Sequence, residues 1–174
     1  MPVSNPNPSR YSAFVNLLRQ PPQAVAMMKG SPQHPQLQGT VRFWQARSGV
    51  VLAVELMGLP KGSGACDGPI FALHIHSGAA CAGNLTDPFA DAMSHYNPYN
   101  CLHPYHAGDL PPVFGNGGYA FQVVLTDRFQ LKDVIGRTVV LHADPDDFTT
   151  QPAGNSDGKI ACGVIQPRGR RSNA

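Results

Sequence analysis

Six of the chain's seven histidines fall between His74 and His142, a crowding that makes metal binding the first chemistry to consider. His74 and His76 are two apart in FALHIH, so on a strand both rings leave the same face and could share one ion. The polar outer face of an edge strand would show the same spacing. His95 is followed by His103, His106 and Asp109 in HYNPYNCLHPYHAGDLPP. Pro98, Pro104, Gly108 and Pro111 exclude a helix there, so HxxHxxD is unrelated to the helical metalloprotease motif HExxH and must be a folded loop. Three imidazoles and a carboxylate in one short segment form a four-ligand nitrogen and oxygen set that suits a closed tetrahedral zinc site. Solvated loop histidines are the competing reading, but a loop with so little apolar content has few other means of ordering itself. His142 ends the apolar run VVLH and is followed at once by ADPDD, which puts another imidazole at a strand end beside a long loop. His34 stands apart in the turn Pro32 to Pro35.

These side chains need a frame, and the composition says of what kind. The chain has 174 residues, enough for one domain with a proper core. Hydrophobic residues make up 42% and charged residues 14%, which excludes a long-helix or coiled-coil protein. Gly and Pro fill about a fifth of the chain against roughly 12% in average usage, and they lie between apolar runs rather than in one tract. Short strands joined by turns and long loops follow. The patterning predicts strands at Ala24 to Lys29, Leu37 to Ala46, Val50 to Met57, Ile70 to His76, Gly118 to Leu125, Thr138 to Ala143 and Ile160 to Gln166. Between His76 and Gly118, and again between Ala143 and Ile160, no strand is expected, and loops of that length imply function or a bound ion. No internal repeat is found.

Ahead of the strands, Pro2, Pro6 and Pro8 mark a loose start. Tyr11, Phe14, Val15 and Leu18 then form the apolar stripe of a short helix that Pro21 and Pro22 would stop, either docked on the domain or turned toward a partner. The formal net charge of +2 gives no field that argues for nucleic acid or an anionic membrane. Arg168, Arg170 and Arg171 read as a solvated tail. No apolar run approaches the ~18 residues of a membrane span. Phe14 to Leu18 is too short for a signal-peptide core and sits between Arg10 and Arg19, so the expected location is the cytoplasm.

Taken together, the segments GTVRFWQ, FALHIHSG, HYNP at His95, HAGDLP at His106, VIGRTVVLHADPDD and GKIACGVIQ resemble the Cu,Zn superoxide dismutases, in the family's order over about residues 24 to 166. The resemblance implies an all-β fold, an eight-stranded antiparallel Greek-key β-barrel of the immunoglobulin-like sandwich type, with two long loops over a binuclear site; this family is itself a familiar example of that architecture. It divides the chain into an extension with its helix over 1–23, the barrel over 24–166 and a basic tail over 167–174. By position in the motifs, His74, His76 and His142 match copper ligands, His103, His106 and Asp109 match zinc ligands, and His95 matches the imidazolate that bridges the two metals and carries a proton during turnover. One Cu and one Zn per chain are implied. Asp146 resembles the family's aspartate that joins a copper histidine to a zinc histidine and so fixes both rings. Cys81 and Cys162 resemble the disulfide that ties the loop to the last strand, and the remaining Cys66 and Cys101 are expected to form a second one, with free thiols as the alternative.

The sequence departs from the family pattern twice. The guidance arginine is replaced by Lys159, which keeps the charge but loses the planar fork of donors, so weaker guidance of superoxide is expected. The zinc loop is short, with two residues between His103 and His106. The expected activity is dismutation of superoxide to O2 and H2O2, with His95 and Lys159 as the residues that act on the substrate. The alternative is a copper-binding buffer or chaperone-like protein without turnover. Besides superoxide, a homodimer mate and a copper donor protein are the candidate partners; nucleic acid and membrane are not expected.

Overall fold

The computed structural model describes residues 10–64, 68–156 and 158–169. Residues 1–9, Cys66, Arg170 and Arg171 therefore lie outside the described residues. The chain runs α1 (Arg10–Leu18), β1 (Ala24–Gly30), β2 (Gln38–Ala46), β3 (Gly49–Met57), β4 (Ile70–Phe71), β5 (Leu73–His76), β6 (Val113–Phe114), β7 (Tyr119–Thr126), α2 (Leu131–Val134), β8 (Thr138–His142) and β9 (Lys159–Pro167). Seven strands form one antiparallel sheet in the order β5-β8-β9-β1-β2-β3-β7, and β4 pairs with β6. The sheet curls on itself, as a Greek-key barrel requires. No helix of the described residues is long and apolar enough to cross a membrane.

The inward face is a continuous apolar core. Alternation along β2 and β3 sends Val41, Phe43, Leu52, Val54 and Leu56 into it, where they are almost fully buried. The opposite face of β3 is also buried, because α1 lays Phe14, Leu17 and Leu18 over Trp44, Val51 and Ala53. That explains why β3 is apolar without a break from Val50 to Val54 rather than alternating. The helix ends where Pro21 and Pro22 follow, and Trp44 Nε1 donates to the Gln20 carbonyl at 2.9 Å, locking the exit of the helix to the sheet.

The expected strand Ile70 to His76 is two strands. At Ala72 the chain changes partners: its N–H bonds to the Asp144 carbonyl, its carbonyl accepts the His142 N–H, and β5 then pairs with β8 instead of β6. Counted as one path, β4 and β5 bring the total to the eight strands that the family resemblance implied. The two-residue β6 lies within what read as strandless chain, too short to show any period of its own.

Candidate metal centre

Strand β5 places two of the candidate donors by alternation alone. Leu73 and Ile75 enter the core, so His74 and His76 must emerge on the other face, and the long loops bury them there. His142 ends the neighbouring strand β8, where a register shift after Leu141 turns its ring toward His76; their Nε2 atoms are 3.1 Å apart. The loop between β5 and β6 returns as isolated antiparallel bridges to the same strand, His76 to His95 and His74 to Asp109. Gly108 allows this close return, since a Cβ there would lie 2.2 Å from the Ile75 carbonyl oxygen.

Two clusters of buried donors result. In one, His74, His76, His95 and His142 present ligand atoms all within 4.8 Å of one another; in the other, His95, His103, His106 and Asp109 do the same. All seven residues are between 0 and 7% exposed. His95 Nδ1 lies 2.8 Å from Asp109 Oδ1 and 3.4 Å from His106 Nδ1, while His103 Nδ1 lies 3.1 Å from Asp109 Oδ2.

The hydrogen bonds around these rings leave the right atoms over. Asp146 accepts from His74 Nε2 and His103 Nε2, both at 2.8 Å, and from the Phe148 N–H at 2.7 Å. His76 Nδ1 donates to the Met93 carbonyl at 2.8 Å. Each donor nitrogen spoken for fixes the tautomer and turns the other nitrogen into a lone pair aimed at a cluster. His74 Nδ1 and His95 Nε2 are buried with no hydrogen-bond partner, and His103 Nδ1 makes no aligned hydrogen bond with Asp109 despite lying 3.1 Å from it, an arrangement that costs about 1–3 kcal/mol per group unless an ion supplies the missing partner. The clusters therefore fit two metal ions.

The electrostatics agree. Burial, with the neighbouring His142, pushes His76 well below its ordinary value, and burial outweighs the Asp146 hydrogen bond to lower His74 as well. Both rings are thus held neutral, the form that binds a metal. Burial raises the Asp146 carboxyl, but the hydrogen bonds from His74, Phe148 N–H and His103 together exceed that effect and hold it well below the carboxylate range. Asp109 is lowered in the same way, its burial exceeded by the His95 hydrogen bond and the surrounding histidines.

A family model for copper/zinc superoxide dismutase matches residues 37–165. The chain belongs to that family. A superoxide dismutase [Cu-Zn] of Deinococcus radiodurans is 35% identical over 146 residues, covering 74% of this chain and 76% of that one. The corresponding protein of Photobacterium leiognathi is 32% identical over 142 residues, with 74% and 78% covered. The solved Cu/Zn superoxide dismutase from Brucella abortus superposes with a TM-score of 0.69 at 26% identity, covering 82% of this chain and 99% of that one.

Against the family pattern, the structure makes the Cys81–Cys162 disulfide across a sequence separation of 81. Cys101 carries a free thiol rather than the expected bond, its backbone N–H and carbonyl both held by the Asn97 side chain; the partner expected for it, Cys66, lies outside the described residues. Lys159 stands at the start of β9 beside His142, in a cleft of about 450 Å³. Its ammonium is ion-paired with Asp87, whose other oxygen accepts the Phe89 N–H at 3.0 Å. The sequence reading missed Asp87. It also missed Gly154, at φ +71°, where a Cβ would sit 2.0 Å from Asp146 Oδ1 and 2.7 Å from His103 Nε2. The turn-rich run AGNSDG was the one signal for that glycine; nothing in the sequence marked Asp87.

Proposed function

We propose that the protein dismutates superoxide, converting two superoxide ions and two protons to one O2 and one H2O2, with copper held by His74, His76, His95 and His142 and zinc by His95, His103, His106 and Asp109. The observation that carries this reading is His95, a single buried ring that belongs to both donor clusters. Copper, when bound among imidazoles, supplies the one-electron cycling that the reaction needs and that zinc lacks.

The chain's own residues do the rest. Asp146 holds His74 and His103 by their Nε2 atoms, so one carboxylate orients a ring in each cluster. His95 Nδ1 lies 2.8 Å from Asp109 Oδ1 inside the second cluster and would be the atom given to zinc, which leaves Nε2 as the atom that can carry a proton and pass it to the reduced substrate. Lys159 sets a positive charge at the cleft beside His142, and Asp87 offsets part of it. A small anion drawn by such a field arrives at a rate that falls with salt, a behaviour for which this family is itself a standing example.

Superoxide is the substrate. A homodimer and a copper donor protein belong to the same proposal; for the dimer, support comes from the row Tyr119, Phe121, Val123 and Leu125, an exposed apolar face along β7. The test is direct measurement of superoxide consumption by protein loaded with one Cu and one Zn per chain, at several salt concentrations, beside the metal-free protein. A fast, metal-dependent and salt-sensitive rate is expected. A rate no better than free copper with both metals bound would move the reading to a copper-binding buffer.

A further inference from the structure

The loop that carries the second donor cluster turns its large apolar side chains outward: Tyr99, Leu102 and Tyr105 are each more than two-thirds exposed, at 76, 71 and 71%. Tyr96, Ala107 and Leu110 are buried in the core, so hydrophobic burial orders the two ends of the loop and does little for the stretch between Tyr96 and Ala107. With two residues between His103 and His106, the segment also has no room for a helix or strand that would hold its own backbone. Part of its backbone is held locally, by the Asn97 side chain at Cys101, by the Tyr105 N–H on the Leu102 carbonyl and by Asp109 Oδ2 accepting the His106 N–H, and other groups are taken up by side chains that come from elsewhere in the fold.

Two clamps stand out. Gln151, in the loop between β8 and β9, accepts the His103 N–H on Oε1 at 3.0 Å and donates Nε2 to the His103 carbonyl at 2.7 Å, gripping both polar groups of one ligand residue. Arg128, in the connection between β7 and α2, brings Nη1 to 2.8 Å from the Pro104 carbonyl, 3.2 Å from that of His106 and 3.4 Å from that of Asp109. Two of those three carbonyls belong to ligand residues, and the third follows His103 directly. A guanidinium set over converging carbonyls also places its positive charge where three dipoles point their negative ends, which makes the contact stronger than neutral hydrogen bonds would be. Neither side chain reaches a ring nitrogen or the Asp109 carboxylate.

We infer that Arg128 and Gln151 are positioning residues of the zinc cluster: gripping the backbone of the short loop at His103, Pro104, His106 and Asp109, they add to its local turns and keep His103, His106 and Asp109 facing His95. The inference rests on the reading that this cluster is where zinc binds. Asp146 controls ring orientation through His103 Nε2, whereas the two clamps control where the backbone that bears the rings is placed. Groups that orient ligands from outside the coordination sphere change metal affinity by about 10–100-fold when removed.

The test uses full-length protein loaded with copper and zinc, and reads metal retention against a chelator rather than activity. Arg128→Met and Gln151→Ala should each lose zinc about 10–100-fold more readily than wild type, with copper retention within about twofold. Arg128→Lys, which keeps a charge with several donors, should recover part of the loss. With Co2+ in place of zinc, the visible bands of the two clamp variants should change position or intensity, a readout that a general loss of stability would not move while the circular dichroism stays that of wild type. Wild-type zinc retention and unchanged Co2+ bands in both variants would overturn the inference while leaving the zinc assignment intact. A His106→Ala variant that holds zinc as wild type does would overturn the assignment, and the inference with it.

Discussion

Removing the Cys81–Cys162 disulfide is the perturbation whose size the structure fixes best. The bond closes a loop with a sequence separation of 81, and the chain-entropy relation for a loop of that length gives about 4.5 kcal/mol of stabilisation at 25 °C. Cys162 is 1% exposed and packs with Phe89, Ala92 and Val140, so alanine at both positions avoids burying a new polar group there. The Cys81→Ala, Cys162→Ala double variant should unfold in guanidinium with a loss of about 3–5 kcal/mol, and its Tm should fall by roughly 6–20 °C. Both proteins must carry the same metal content, so that the binding contribution cancels. The loss has a second face. The disulfide anchors the segment that bears Asp87 to the strand that bears Lys159, so the variant should also show an altered salt dependence of turnover. A loss below about 1 kcal/mol would refute the reasoning, because it would mean that native contacts or residual unfolded-state structure already hold the two segments together.

The other expectations follow from single groups. His95→Ala should abolish rapid turnover while the fold is kept, and unchanged turnover would contradict its place in both clusters. Lys159→Glu should slow superoxide consumption and reverse the sign of its salt dependence, whereas Asp87→Asn, which frees the ammonium, should raise the rate at low salt; rates indifferent to both changes would remove Lys159 from the guidance role. Gly154→Ala forces a Cβ against Asp146 and His103 at a left-handed backbone position, so it should destabilise the protein by about 1–3 kcal/mol and weaken zinc retention, checked by denaturation and chelator competition. In metal-free protein, His74 and His76 are held below 6.5 and Asp109 and Asp146 below 3.8, so the folded state binds fewer protons than the unfolded one in both ranges. Stability should then be greatest above pH 6.5, decline as the pH falls through the histidine range and decline again below about pH 4; a denaturation midpoint that rises toward acid would contradict this.

What could be read from the sequence, and what could not, divides along one physical line. The two clusters of buried donors were legible because such a cluster needs particular atoms at short range: His74 and His76 share a face through strand alternation, and His103, His106 and Asp109 follow one another within a single loop. The strands were legible because β-branched and aromatic residues recur between turn residues, and only β6 and the break at Ala72, too short to carry a period, escaped. The groups that hold the ligands in place had no such signature. Arg128 and Gln151 act on backbone groups, which every residue has, so neither their identity nor their spacing points to what they hold. Lys159 shows the same limit more sharply. Its charge and its place before IACGV were plain, but its partner Asp87 lies 72 residues away and is joined to it only because the disulfide and the Asn84–Asp87 turn bring that loop onto β9. A residue type fixes the charge that a site owns, whereas the field that a substrate meets depends on which opposite charge the fold has set beside it. The guidance of superoxide proposed for Lys159 therefore belongs to the Lys159–Asp87 pair, and changing either member alone tests it.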